Sequence, residues 1–265
     1  MNGWKKLGKI NPKSLTETRL QLHYAIQFMA AVGNFLTQPR SDFSHASLTW
    51  NSELNAFVSG IVVSKNSFQV ALEPITLTSI ILDINRNKLA EFSLLEKTMN
   101  EGMNLLKQII EPLGADITKL TFVSYPDDFP HHSLAEGAIF EHNSEAMRQE
   151  LTAYFANTNS ILQEIAASRE NASPVRIWPH HFDIATLISL PYIQKDEAVS
   201  LGIGMSSGDN SYNEPYWYVT PWPYPNIANL PELASSGIWH TEGWVGAILT
   251  ASQLSQEERQ QIQST

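Results

Sequence analysis

Cysteine is missing from all 265 residues of the chain. That absence removes disulfides, iron–sulfur clusters, thiolate zinc sites and cysteine nucleophiles from consideration. Positive charge is scarce: 17 Lys and Arg stand against 27 Asp and Glu, a net charge of −10 with a pI near 5.2. Phosphate backbones and anionic membranes are held by clustered cations, so neither nucleic acid nor a membrane is expected as a partner. The shortage is sharpest near the C-terminus, where no Lys or Arg lies between Lys195 and Arg259. Long apolar runs are missing as well. Leu15 to Leu36 is interrupted by Thr16, Glu17, Arg19, Gln21, His23 and Gln27, so no signal peptide or membrane span is visible and a cytoplasmic location is expected. There is no G-x-S-x-G elbow, P-loop or H-E-x-x-H.

What the chain does have is an ordinary globular composition, 43% hydrophobic and 17% charged. The patterning predicts a helix from about Ser14 to Leu36, with Ser14 as cap and Glu17 as its capping-box partner. Short β-type runs follow at Ala46–Trp50, Phe57–Ser64, Phe68–Glu73, Leu77–Ile84 and Leu89–Phe92, with a hairpin turn at Lys65-Asn66-Ser67. A helix over Ser93–Ile110, closed by Pro112 and Gly114, leads to a strand at Lys119–Ser124. Then come a Pro-, Asp- and His-rich loop from Tyr125 to Ser133 and a long helix from Ser144 to Arg169. The last third reads as strands at Val175–Leu190, Ser200–Met205, Tyr216–Pro221 and Val245–Thr250, with a short polar helix or tail at Ser255–Gln263. Blocks of strands and helices, without βαβα alternation, predict an α+β fold dominated by antiparallel sheet in a single compact domain. Its parts are the N-terminal helix (14–36), a β/α region (46–170) and an aromatic-rich β region (173–254).

Two segments carry most of the chemistry. Trp178-Pro179-His180-His181-Phe182-Asp183 and Trp239-His240-Thr241-Glu242-Gly243-Trp244 each set a histidine two residues from a carboxylate among tryptophans. On a strand, residues two apart leave the same face. Read that way, His181 and Asp183 share a face with Pro179 and Ala185, while Trp178, His180, Phe182 and Ile184 take the other. His240 and Glu242 share a face too. His181, Asp183 and His240 then have the make-up of a 2-His-1-carboxylate centre for iron, zinc or manganese, with Glu242 as fourth ligand or general base. A 2-oxoglutarate-dependent version also needs a cation, which Arg176 or Lys195 would supply. The blander reading is that each carboxylate fixes the tautomer of its neighbouring ring.

Ser173-Pro174-Val175 followed by Trp178 to Ala185 resembles the central signature of the uncharacterised family DUF5996. Glu214-Pro215-Tyr216-Trp217-Tyr218-Val219-Thr220-Pro221-Trp222-Pro223 is similar to that family's aromatic, Pro-punctuated strand. Leu22-His23, Gln27 and Gly33 are similar to its opening helix. The chain departs from the pattern at His180 and His181, where much of the family has small residues. The family has no assigned activity, so the resemblance implies a shared fold.

The aromatic run Tyr212, Tyr216, Trp217, Tyr218, Trp222 and Tyr224 offers another use. Such rings stack on sugars or heterocycles and attract quaternary amines, or they fill a sheet packed on both faces. Asp209 and Glu214 flank the run as a candidate glycosidase pair. Gly202-Ile203-Gly204-Met205-Ser206-Ser207-Gly208 misses the dinucleotide spacing and reads as a strand ending in a tight turn at Ser207–Asn210. Asp127-Asp128-Phe129-Pro130-His131-His132 reads as a solvated loop, and His142 with Glu145 as a helix-end pair. Two functions follow. One is a metal-dependent enzyme on a small molecule, with Glu242 catalytic. The other is a non-catalytic module binding a small ligand or peptide, its surface formed by Trp178, His180, Tyr216, Tyr218, Trp222, Trp239 and Trp244.

Overall fold

Helices and strands fall in separate blocks in the computed structural model, which describes residues 4–124, 127–142, 145–194, 196–233 and 236–254. Among these residues the fold is α+β, with four α-helices and two antiparallel sheets of five and six strands. No described helix is long and apolar enough to cross a membrane.

The N-terminal helix starts earlier than Ser14. A single 3-10 turn, Pro12–Leu15, precedes α1 (Thr16–Ala25) and α2 (Gln27–Leu36). Its cap is Asn11, whose Oδ1 accepts from the Lys13 N–H at 3.1 Å. Pro12 explains the shift, because proline has no N–H to leave unpaired and its φ is already helical at a first position. Ser14 Oγ instead donates to the Asn11 carbonyl at 2.7 Å. Glu17 Oε1 accepts from Gln21 Nε2, so no capping box forms there. The box forms in α3 (Met99–Ile110), where Thr98 and Glu101 exchange side-chain and backbone hydrogen bonds. Helix α3 therefore begins at Met99 and not at the expected Ser93, which ends a strand of the first sheet. The expected strand at Lys119–Ser124 does not form: a 3-10 turn, Ile117–Lys119, capped by Asp116, ends there, and residues 120–124 lie in no helix or strand. Helix α4 covers Glu145–Ala167; its expected cap Ser144 lies outside the described residues, as does the tail 255–265.

The first sheet is a meander in chain order: β1 (Thr49–Asn51), β2 (Ala56–Val58), β3 (Phe68–Glu73), β4 (Thr78–Asp83) and β5 (Lys88–Ser93). The second holds β6 (Arg176–Trp178), β7 (Asp183–Gln194), β8 (Glu197–Ser206), β9 (Tyr216–Trp222), β10 (Ile238–His240) and β11 (Gly246–Thr250), in the order β10-β11-β9-β8-β7-β6.

Two compact units divide the chain. The first comprises 17–152 and 176–182; the second comprises 1–16, 153–175 and 183–265. In the first, α2 is buried from Gln27 to Gly33. A Cβ on Gly33 would lie 2.7 Å from Ala46 Cα, so only glycine lets the following loop rest directly on the helix. Phe57 anchors the sheet side of this core between Trp50, at 5.2 Å between ring centroids, and Phe182, at 5.7 Å. In the second unit, α4 lies against one face of the long β7–β9 sheet. Trp217 Nε1 donates to Thr158 Oγ1 at 2.9 Å, and its ring meets Tyr154 at 5.8 Å. Strand alternation then sends Tyr216 and Tyr218 to the opposite face.

Candidate functional site

The first His-x-carboxylate segment is not one strand. β6 stops at Trp178, and the chain reverses through Pro179-His180-His181-Phe182 before β7 starts at Asp183. Phe182 N–H donates to the Trp178 carbonyl at 2.8 Å, and Phe182 has a φ of 53°. Two residues break the period-two pattern: Pro179 has no N–H for a ladder, and Phe182 bends left-handed so that its ring can enter the core. Phe182 is fully buried, stacked on His23 at 5.4 Å. The face shared by His181 and Asp183 therefore does not exist.

The turn is held from beneath by α1 and α2. The Pro179 carbonyl accepts from both His23 Nε2, at 2.8 Å, and Gln27 Nε2, at 2.9 Å. Gln27 Nε2 also donates to the His23 carbonyl at 2.7 Å. A carbonyl can only accept, so His23 carries its hydrogen on Nε2. Burial pushes the His23 pKa down to about 3 against its hydrogen bond to Pro179, with Arg19, His181 and His180 adding repulsion. The segments Leu22-His23…Gln27 and Trp178–Phe182, both in the first unit and remote in sequence, thus form one hydrogen-bonded structure. Above it His180 is half-buried and its pKa is lowered to about 4, by burial first and by His181 second. Their rings lie 4.3 Å apart. Exposed His181 faces Asp128 at 3.8 Å, and Trp178 meets His180 edge-on at 6.1 Å. Arg176 is spent locally, donating to Ser47 Oγ at 3.0 Å, and Lys195 lies outside the described residues. His142 pairs with Glu96 at 3.4 Å.

The second segment is different. His240 ends β10, buried, with Nε2 donating to the backbone carbonyl of Glu242 at 2.6 Å. With the hydrogen on Nε2, Nδ1 of the neutral ring accepts from Tyr212 Oη at 3.0 Å. Both nitrogens are thereby occupied, and it is the Glu242 carbonyl, not its exposed carboxylate, that meets the imidazole. Asp183, on β7, accepts from Tyr218 Oη at 2.6 Å. His181 belongs to the first unit, Asp183 and His240 to the second. Among the described residues no group of three or more His, Asp and Glu side chains is placed to hold a metal ion.

What the second unit does assemble is a closed circuit of five rings. Going round, Tyr212–Tyr216 are 4.9 Å apart, Tyr216–Tyr218 6.3 Å, Tyr218–Trp244 6.2 Å, Trp244–His240 4.3 Å and His240–Tyr212 5.6 Å. Glycine makes room for it. Gly204 on β8 is paired with Tyr218 on β9, and a Cβ there would sit 2.6 Å from the Tyr218 hydroxyl. The phenol thus lies across β8 and reaches Asp183 one strand further on. Gly246 does the same for Trp244, whose ring would be 2.5 Å from an added Cβ. Carboxylates fix the phenols. Asp209 Oδ2 accepts from Tyr216 Oη at 2.6 Å, while its Oδ1 accepts from the Ser211 and Tyr212 N–H groups. All three phenols are held above their ordinary pKa. Burial is the largest cause each time, reinforced by Asp209 and Glu242 at Tyr212, by Asp209 at Tyr216 and by Asp183 at Tyr218.

The remaining expected site residues lie outside the circuit. Exposed Trp222 packs edge-on to Tyr224 at 5.0 Å, and Trp239 Nε1 donates to the Pro231 carbonyl at 2.8 Å. Glu214 is buried and accepts from the Ser252 N–H at 2.6 Å, which ties it to the backbone and separates its role from that of Asp209. The tight turn after β8 is present, with Gly208 at φ 114°. Sequence reading passes over Tyr212 as a partner of His240 and over Gly204. The available signal is a pair of small residues on β8, Gly204 and Ser206, set opposite Tyr218 and Tyr216 of β9. No protein-family model, curated protein or solved structure matches the chain.

Proposed function

We propose that the protein is a small-ligand binding module and that the ring circuit of the second unit is its ligand surface. The closed circuit is the observation that carries this reading. Tyr212, Tyr218 and Trp244 are only half-buried, so part of the circuit meets solvent. Its polar ends are already tied down by hydrogen bonds to His240, Asp183 and Asp209. A ligand that orders a loose side chain loses about 0.5–1.5 kcal/mol for each one immobilised, and rings fixed in advance spare that cost. The metal-dependent reading lacks comparable support, since a metal on His240 would displace one of two short hydrogen bonds.

Thermal melts with a panel of indole, glucose and choline, run on the wild type and on Trp244→Leu, test the proposal. A concentration-dependent rise in Tm that the variant loses supports it. A panel that leaves the wild-type melt unmoved, or moves both proteins equally, refutes it. Stoichiometric iron, zinc or manganese in protein purified without a His-tag, lost in His181→Ala/His240→Ala, would reinstate the metal centre.

A further inference from the structure

We propose that the loop 128–132 of the first unit is a cover over His23 that lifts when His23 takes up a proton. His23 is 4% exposed, and its ring meets two hydrocarbon rings, Phe129 of the loop at 4.6 Å and Phe182 of the turn at 5.4 Å. Its Nε2–H is spent on the Pro179 carbonyl. A proton on the other nitrogen makes an imidazolium, whose charge needs water or an acceptor that neither phenylalanine supplies. Arg19 on its own helix and His180 and His181 on the turn oppose that charge. Three nearby carboxylates are engaged with other imidazoles. Glu17 meets His132 at 2.9 Å, Asp128 meets His181 at 3.8 Å and Glu136 meets His131 at 3.1 Å.

The loop is the side that gives way. Phe182 is fully buried and packs on Phe57 as well, and the Pro179 carbonyl ties the turn to both His23 and Gln27. Phe129 is half-buried, and Tyr24 of α1 holds its segment down. The Tyr24 ring meets Phe129 at 5.5 Å, and its Oη donates to the Pro130 carbonyl at 3.0 Å. Half-buried loops of this kind open at lower cost than the core. Lifting the loop gives His23 water and returns it to its ordinary pKa of 6.5, against about 3 under the cover, a depression caused first by burial. Between those values the open form binds a proton that the closed form refuses, so lowering the pH from 7.5 to 5 favours opening by about thirtyfold. Acid also charges the three His–carboxylate pairs, which pulls the loop the other way. Two of them, at Asp128 and Glu136, are exposed on both partners and contribute little. At the third, His132 Nδ1 accepts from the Leu134 N–H at 3.2 Å, so a proton there strengthens the pull of Glu17 but costs that hydrogen bond.

NMR of the aromatic ring signals, each assigned by substitution, tests the cover. As pH falls from 7.5 to 4, the Phe129 signals should move toward free-chain positions while those of Phe57 stay. His23→Gln, which can still donate to Pro179, should abolish that movement. Reciprocity requires the converse. Phe129→Ala, which thins the cover, should raise the His23 midpoint by at least about one pH unit, a tenfold gain in proton affinity. If Phe129→Ala does not fold, Tyr24→Phe, which frees the Pro130 carbonyl and keeps every ring, should move the midpoint in the same direction. Phe129 signals that ignore acid, or that move equally in His23→Gln, overturn the proposal. So does movement of Phe129 and Phe57 together, which is unfolding of the whole unit, or a wild-type His23 midpoint near the ordinary 6.5.

Discussion

The turn of the first unit and the ring circuit of the second grow from nearly the same local sequence, a histidine beside tryptophan with a carboxylate two residues on. Their outcomes are opposite. At Trp178–Asp183 the middle of the segment is consumed by the core: Phe182 is buried, Pro179 receives two side-chain donors, and the histidines are left at the rim. At Trp239–Trp244 the histidine itself is buried and becomes one side of an aromatic ring circuit, while the carboxylate is left outside. A spacing of two reports a shared face only when the backbone is extended. Proline and a left-handed Phe182 cancel it in one case, and the end of β10 cancels it in the other.

The contrast can be broken most forcefully at Phe182. Phe182→Ala should cost about 3–5 kcal/mol in a urea melt, because it empties a fully buried ring site in contact with His23 and Phe57. A loss below about 1 kcal/mol would mean that the turn is not core-anchored. Acid should also discriminate. His23 has a folded pKa of about 3 against an ordinary 6.5, so between those values the unfolded chain takes up a proton that the folded one refuses. Its contribution to stability is complete above pH 6.5 and falls as pH is lowered, by roughly 3 kcal/mol at pH 4. His23→Gln, which can still donate to Pro179, should flatten that limb of the stability–pH curve; an unchanged limb would assign it elsewhere.

Smaller effects are expected in the circuit. Gly204→Ala should cost about 1–3 kcal/mol, since the new methyl meets the Tyr218 phenol and the Ile184 carbonyl, and should weaken any ligand of the circuit. Wild-type stability and binding in this variant would show that Tyr218 does not need the gap. Tyr212→Phe should cost only about 1 kcal/mol by removing the donor to His240 Nδ1. Chemical shifts of the His240 ring nitrogens would report that loss, and an unmoved Nδ1 signal would contradict the hydrogen bond.

Much of the fold is legible in the sequence because hydrophobic periodicity and strand composition are local. The positions of α2, α3 and α4, the first-sheet meander and strands β8, β9 and β11 all follow from such patterns. Helix starts shift where a better cap lies nearby: Asn11 before Pro12 in one case, Thr98 with Glu101 in the other. The candidate site is legible only in part. Tyr216, Tyr218, His240 and Trp244 stand out individually, but their juxtaposition depends on pairing β9 with both β8 and β11. No spacing along the chain encodes that pairing. Tyr212 lies in a loop and joins the circuit through Asp209, whose two oxygens hold the loop and Tyr216 together. The histidine pair misleads because a proline inside a run of strand formers looks like part of the strand.

The division of the chain has a practical consequence for anyone working with pieces of it. The first unit needs 176–182 in addition to 17–152, and the second needs 153–175 as well as 183–265. The boundary at 152/153 falls within α4. No single cut releases either unit whole, so a fragment beginning at Asp183 would carry the ring circuit without the helical turns that cover Trp217. Deletion mapping that assigns binding to one end of the chain would therefore mistake a broken scaffold for a missing ligand site.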